Sequence, residues 1–151
     1  MIDWETCKAD FEWDGSWRDI YVLETKPEDW GELFSLLRKD YARSNKLDEE
    51  ASLPSSNEEV LNAARTSSKS WNFRVGRILV VCHLFTLTRI EFDIDPREVL
   101  GQPDLDSLCQ FLQRLGDALG KSVILTPESF PECSIITYDP KSISFRYDAR
   151  P

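Results

Sequence analysis

The fold is decided by one stretch of the chain, WNFRVGRILVVCHLFTLTRIEFDI, residues 71–94. Apolar residues alternate with polar ones over residues 71–75 and again over residues 89–94, which is the period of strands with one wet face. Between them, residues 78–85 are almost continuously apolar and predict a central strand that is buried on both faces. Asp95-Pro96 ends the stretch. We therefore expect three consecutive strands at the heart of the molecule.

Helical patterns lie on both sides of this stretch. Apolar residues recur at helical spacing over residues 28–41 and 105–119, and each pattern predicts an amphipathic helix. Gly120 follows the second pattern, where a left-handed residue commonly ends a helix. Ser56 to Glu59 has the form of a capping box and predicts a short helix over residues 57–66.

The remaining segments predict further strands and turns. Asp14-Gly15 separates two β-prone runs and predicts an N-terminal β-hairpin over about residues 9–25. The charged, Ser-rich residues 42–56 predict a surface loop. Strands are expected at 123–125, 134–138 and 143–147. Together these patterns predict a single α+β domain over residues 1–151, with a mostly antiparallel or mixed sheet and two main helices and one short helix packed on it.

Composition limits the cellular setting. The chain of 151 residues is 41% hydrophobic, which suffices for one buried core, and no apolar run is long enough to cross a bilayer. The first residues resemble no secretion signal, so we expect a cytoplasmic protein without a membrane partner. The four widely spaced cysteines are then expected to be free thiols.

Charge is concentrated at one end of the chain. Residues 1–32 contain ten acidic and three basic residues, which is −7 of the total net charge of −9. Direct DNA or RNA binding is disfavoured because it requires a basic surface, whereas a protein partner with a basic surface would be attracted. Exposed tryptophans among these acids would provide interface anchors. The expected partner-binding residues are Asp10, Glu12, Trp13, Asp14, Trp17, Glu91 and Asp93.

A second acidic group lies on the last strand of the central stretch. Glu91, Asp93 and Asp95 alternate, so they share one face of that strand. Three interpretations remain open: a solvated face, a contact for a basic partner, or a site that chelates a hard cation or shares a proton. His83 is the only histidine of the chain, and its apolar surroundings favour a hydrogen-bonded residue of the core or sheet face over a catalytic one. No nucleotide-binding or catalytic motif accompanies these residues, and no cofactor or resident metal is expected.

The second half of the chain resembles small bacterial immunity proteins of polymorphic-toxin systems, whose toxins are delivered by contact-dependent or type VI secretion. The resemblance rests on Ile90–Pro96, on Leu119–Glu128 and on Ile136–Asp139, where a helix leads into a strand that ends in Thr-Pro-Glu and a hairpin follows. It covers about a third of the chain. It implies a non-catalytic, cytoplasmic inhibitor that binds and occludes a toxin domain, and it assigns no individual functional residue.

Two other functions remain open at this point. One is a small enzyme that uses the Glu91, Asp93 and Asp95 face, and the other is an adaptor or scaffold domain. Bound metal would favour the enzyme, and a toxic partner would favour the inhibitor.

Overall fold

A computed structural model describes residues 2–41, 53–66 and 69–149. The helices are α1 (Trp4–Cys7), α2 (Pro27–Leu36), α3 (Asn57–Thr66) and α4 (Gln102–Leu119). The strands are β1 (Arg18–Leu23), β2 (Lys69–Val75), β3 (Ile78–Thr86), β4 (Arg89–Ile94), β5 (Val123–Pro127), β6 (Ile136–Asp139) and β7 (Ser144–Tyr147). A π-helical turn, Leu37–Tyr41, continues α2, and 3-10 turns occupy Lys8–Phe11 and Pro96–Glu98.

All seven strands form one sheet, in the order β2-β3-β4-β1-β5-β6-β7. Every pair of neighbours is antiparallel. The α+β class predicted from the sequence is confirmed. The earliest strand, β1, occupies the centre of the sheet between β4 and β5.

The helices cover one face of this sheet. Phe111 of α4 meets Phe92 of β4 edge-on, with ring centres 5.4 Å apart, and Phe34 of α2 meets Trp71 of β2 in the same way at 4.9 Å. Such aromatic contacts add to the stabilisation from burying apolar surface. Leu112 of α4 is fully buried in this layer, as its place in the predicted apolar stripe requires.

The predicted helices are present, with local features that the sequence indicated. The Ser56 hydroxyl accepts a hydrogen bond from the Glu59 amide at 3.2 Å, as in a capping box. The Glu59 carboxylate instead accepts from the amide of Ser55. Gly120 ends α4 with φ of 65°, a conformation that glycine adopts without steric cost. Among the described helices, none combines the length and the apolar character needed to cross a bilayer.

The predicted N-terminal hairpin over residues 9–25 is wrong. Gly15 does turn the chain, with φ of 91°, but helical turns precede it and β1 pairs with β4 and β5 instead of with a preceding strand. The cause is Arg18, whose fully buried guanidinium donates hydrogen bonds to the carbonyls of Asp10, Glu12, Ser16 and Trp17. Because these carbonyls converge on one side chain, they cannot pair in a ladder.

The β3 run was expected to be buried on both faces, but its side chains alternate between buried and partly exposed, because the described helices cover only one side of it. Its apolar outer residues are Leu79, Val81 and Phe85. The predicted surface loop falls largely on residues 42–52, which lie outside the described residues.

Candidate interaction surface on the open side of the sheet

Glu91 and Asp93, two of the residues predicted to bind a partner, lie on the side of the sheet opposite the helices. In β1, Asp19 and Tyr21 point to this side, and the sheet register pairs them with Asp93 and Glu91 of β4. His83 of β3 lies directly opposite Glu91. We use the name "open face" for the surface formed by Asp19, Tyr21, His83, Phe85, Arg89, Glu91 and Asp93.

Asp19 lies at the centre of the open face and is buried, with 5% of its surface exposed. Its Oδ2 atom accepts hydrogen bonds from the Tyr21 hydroxyl at 2.9 Å and from the Ser129 amide at 2.7 Å. Burial raises the pKa of Asp19, and the nearby charges of Glu91 and Asp93 raise it further. The fold therefore holds Asp19 close to two carboxylates whose charges oppose its ionisation.

His83 is bound to the acidic residues. Its Nε2 atom lies 2.6 Å from Oδ2 of Asp93, and its ring stacks on Phe85 with centres 4.9 Å apart. The hydrogen bond to Asp93 raises the pKa of His83, against the opposing effect of burial. The structure thus places His83 as a hydrogen-bonded sheet-face residue, which is one of the two environments the sequence favoured.

Arg89 bounds the open face next to Tyr21. Its guanidinium lies over the Tyr21 ring at 5.2 Å, and its Nη2 atom lies 3.6 Å from Glu91. The Nε atom of Arg89 is buried and has no hydrogen-bond partner among the described residues. Tyr21 is buried beneath this layer, and desolvation raises its pKa well above the ordinary range. One cation therefore only partly offsets the acids of the open face.

Asp95 does not join the other two acids of its strand. Its carboxylate binds the guanidinium of Arg97 through both oxygens, at 2.9 to 3.2 Å, and also accepts from the Arg97 amide. The hydrogen bond from Arg97 lowers the pKa of Asp95. The predicted alternative of a three-carboxylate site is therefore not formed. Within residues 2–41, 53–66 and 69–149, no group of three His, Cys, Asp or Glu side chains is placed to hold a metal ion.

The N-terminal residues predicted to bind a partner divide into two sets. Asp10 is 5% exposed and accepts a hydrogen bond from the Tyr147 hydroxyl, so it is part of the interior and its assignment as a contact residue is wrong. Glu12 and Asp14 are exposed, although Asp14 also pairs with Arg18 at 3.2 Å. The sequence could not distinguish these acids, because their burial depends on where the chain folds around Arg18.

Trp13 and Trp17 keep large exposed surfaces, 45% and 42%. The guanidinium of Arg97 lies 3.7 Å from the centre of the Trp13 ring. Trp17 immediately precedes β1, and its amide donates to Glu128 at 3.4 Å. Strand alternation places Trp17 on the same side as Asp19, so Trp17 extends the open face at one end.

A cleft of about 600 Å³ extends the open face at the other end. Tyr21, Leu23 and Ile124 provide apolar lining. The acidic lining residues are Glu24 and Asp139, and the basic ones are Lys121 and Lys141. Asp19, Tyr21 and Arg89 were not among the site residues expected from the sequence. Alternation within 17–23 was a usable signal for a shared face, but nothing local indicated that this face adjoins β4.

Comparison with known proteins adds no assignment: no family model matches the chain, and no curated protein or solved structure is significantly similar to it.

Proposed function

We propose that this protein is a non-catalytic, cytoplasmic immunity protein that binds and neutralises a toxin domain through the open face. The observation that carries the proposal is the continuity of the surface. Exposed Trp17 lies at one end of a row of carboxylates formed by Asp19, Asp93 and Glu91. A partner that covers this row must present basic groups to it. The toxin domain as partner rests on the resemblance to immunity proteins.

Electrostatics support a basic partner. Burial raises the pKa of Asp19, and the charges of Glu91 and Asp93 raise it further, so Asp19 ionises at a greater cost in the folded chain than in water. A cation that contacts the more exposed Asp93 would offset the repulsion that Asp93 and Glu91 exert on buried Asp19. Acidic fields also steer basic proteins toward productive encounters and so raise the association rate. The carboxylates that destabilise the free protein would therefore favour the complex.

The tryptophans supply the second component of an interface. Aromatic side chains that become fully buried commonly contribute most to affinity, while surrounding polar groups exclude water. Trp17 is 42% exposed in the free protein and lies beside the acidic row. Trp17→Ala should therefore raise the dissociation rate, with a loss of about 2 kcal/mol or more in binding free energy.

Affinity capture with two matched charge variants tests the proposal. Glu91→Gln/Asp93→Asn removes two charges from the open face, and Glu28→Gln/Glu32→Gln removes two from exposed positions on α2, in the layer of helices. The wild-type chain and the α2 variant should capture the same basic partner from the native strain, and the open-face variant should capture much less. The captured domain should inhibit growth when expressed alone, and co-expression of the wild-type chain should restore growth.

Two results would contradict this function. One is a partner that the two charge variants retain equally, because binding would then not use the open face. The other is a partner that binds the open face but does not impair growth, which would leave a binding surface without a toxin.

A further inference from the structure

His83 occupies a position from which one proton alters the charge of the open face. Its Nε2 atom contacts Oδ2 of Asp93 at 2.6 Å, and the Phe85 ring supports the imidazole from one side in a nearly parallel stack, with an angle of 7° between the planes. About a fifth of the His83 side chain is exposed, so the imidazole can exchange protons with solvent. Asp93 is itself 30% exposed and can contact a partner.

The charged groups that face His83 are mostly acidic. From β4 these are Glu91, which lies directly opposite, and Asp93, with Arg89 farther along the strand. From β1 they are Asp19 and the un-ionised Tyr21 hydroxyl, which donates to Asp19.

The other neighbours of His83 add little charge. On β2, the residue paired with His83 is Ser70. Arg74 lies farther along β2 and donates to the carbonyl of Arg77, in the turn that leads to β3. Within β3, the residues two positions before and after His83 are Val81 and Phe85, which carry no charge. The acids of β4 and β1 therefore dominate the electrostatic field at the imidazole.

We propose that His83 is a proton-dependent regulator of binding, which weakens the hold of the open face on a cationic partner when protonated and strengthens it when neutral. This inference rests on the proposed function, since it assumes that basic groups bind at Asp93 and its neighbours. A protonated imidazole neutralises Asp93 and repels an incoming cation. Loss of the proton adds one negative charge to the row beside Asp19 and Glu91. Conversely, a bound cation competes with the proton for Asp93, so binding should release protons from His83.

The direction of the stability effect follows from the same contact. The pKa of His83 is raised in the folded chain, chiefly by the hydrogen bond to Asp93. The pair therefore stabilises the fold fully below about pH 6.5, the unfolded value, and this contribution is lost as the pH rises through the folded pKa. Protonation of His83 therefore favours the free protein, and loss of that proton favours the complex.

Proton NMR tests the first step directly, because the chain has one histidine and its imidazole signal needs no assignment. In the wild-type chain His83 should titrate above about pH 6.5, and in Asp93→Asn its pKa should fall toward that value. Titration at or below pH 6.5 in the wild-type chain, or no change in Asp93→Asn, would overturn the inference.

Binding of a nona-arginine peptide, measured by fluorescence anisotropy at constant low salt, tests the second step. Wild-type affinity should rise about three- to fivefold from pH 6 to pH 9, as expected for one added charge at a partly exposed site. His83→Gln should bind at all pH values about as tightly as the wild-type chain at pH 9. If the wild-type chain and His83→Gln showed the same pH dependence, only the proposed role of His83 would be overturned. Equal binding by Glu91→Gln/Asp93→Asn and Glu28→Gln/Glu32→Gln would instead show that the open face does not bind cations, and both proposals would fail.

Discussion

Gly116 of α4 provides a test of the packing in which two physical effects oppose each other. Alanine at this position should stabilise the helix by about 1 kcal/mol, because glycine has the higher conformational entropy in the unfolded chain. However, a Cβ atom there would lie 2.6 Å from Cδ1 and 2.9 Å from Cε1 of Tyr138. The ring would have to retreat by about 1 Å to reach ordinary van der Waals separation.

Tyr138 has little freedom to make that movement. It is fully buried, its hydroxyl donates to Asp117, and its ring packs against Phe145 at 4.9 Å. The new Cβ would also lie 3.1 Å from the Lys121 carbonyl, which is backbone. Overpacking of this kind typically costs about 1–3 kcal/mol, and the fixed surroundings place Gly116 at the upper end. After the gain in helix propensity, Gly116→Ala should lower the free energy of unfolding by about 1–2 kcal/mol.

Gly31 of α2 is the matched control, because within the described part of the chain a Cβ there would meet only Asn57 Oδ1, at 3.5 Å. Gly31→Ala should raise the free energy of unfolding by about 0.5–1 kcal/mol. Urea denaturation followed by circular dichroism would measure both variants. In a Tyr138→Leu background, Gly116→Ala should cost less than in the wild-type chain, which a double-mutant cycle reports. If Gly116→Ala stabilises the protein as Gly31→Ala does, the described packing of β6 on α4 is incorrect.

Three other predictions concern interior polar groups and thiols. Asp19→Asn keeps an acceptor oxygen for Tyr21 and Ser129 but removes the charge. Because burial raises the pKa of Asp19, its charge destabilises the fold at pH 7. Urea denaturation at pH 7 should therefore show that the variant is more stable than the wild-type chain. That advantage should disappear as the pH falls below about 3.9, where the unfolded carboxyl is also protonated, and an advantage that persists would contradict it. Arg18→Lys leaves several buried carbonyls without donors and should cost about 3 kcal/mol or more, so a loss below about 1 kcal/mol would mean that Arg18 does not organise the preceding loop. Of the four cysteines only Cys133 is exposed, so a thiol reagent should modify one group quickly and three only on unfolding, and a total below four would show a disulfide.

Local sequence patterns predicted the helices and strands well, because each depends on a periodicity within the segment itself. The helix over 57–66 begins and ends where expected, and Gly120 has the left-handed conformation that its position indicated. The strands of residues 71–94 also form the expected antiparallel series. In these segments the side chains that face the core are specified by spacing alone.

Errors arose where one distant side chain or strand determined the outcome. Asp14-Gly15 is a good turn signal, but a hairpin also needs two strands, and Arg18 draws the flanking carbonyls to its guanidinium. Asp10 resembles its exposed neighbours in sequence, but Tyr147, from the other end of the chain, donates a hydrogen bond to it in the interior. Asp19 was overlooked because its importance depends on the register between β1 and β4. Such pairings between distant segments leave no signal in either segment alone.

The central place of β1 has a consequence for biosynthesis. The meander β2–β3–β4 can pair as soon as it leaves the ribosome, as can β5–β6–β7 later. β1 is synthesised first, yet Leu23 cannot pair with Arg89, nor Tyr21 with Ile124, until those later residues have been made. Contacts between such distant segments slow folding, because a long loop must close before they form. A fragment that starts after residue 23 would keep both three-stranded halves and lack the strand that joins them.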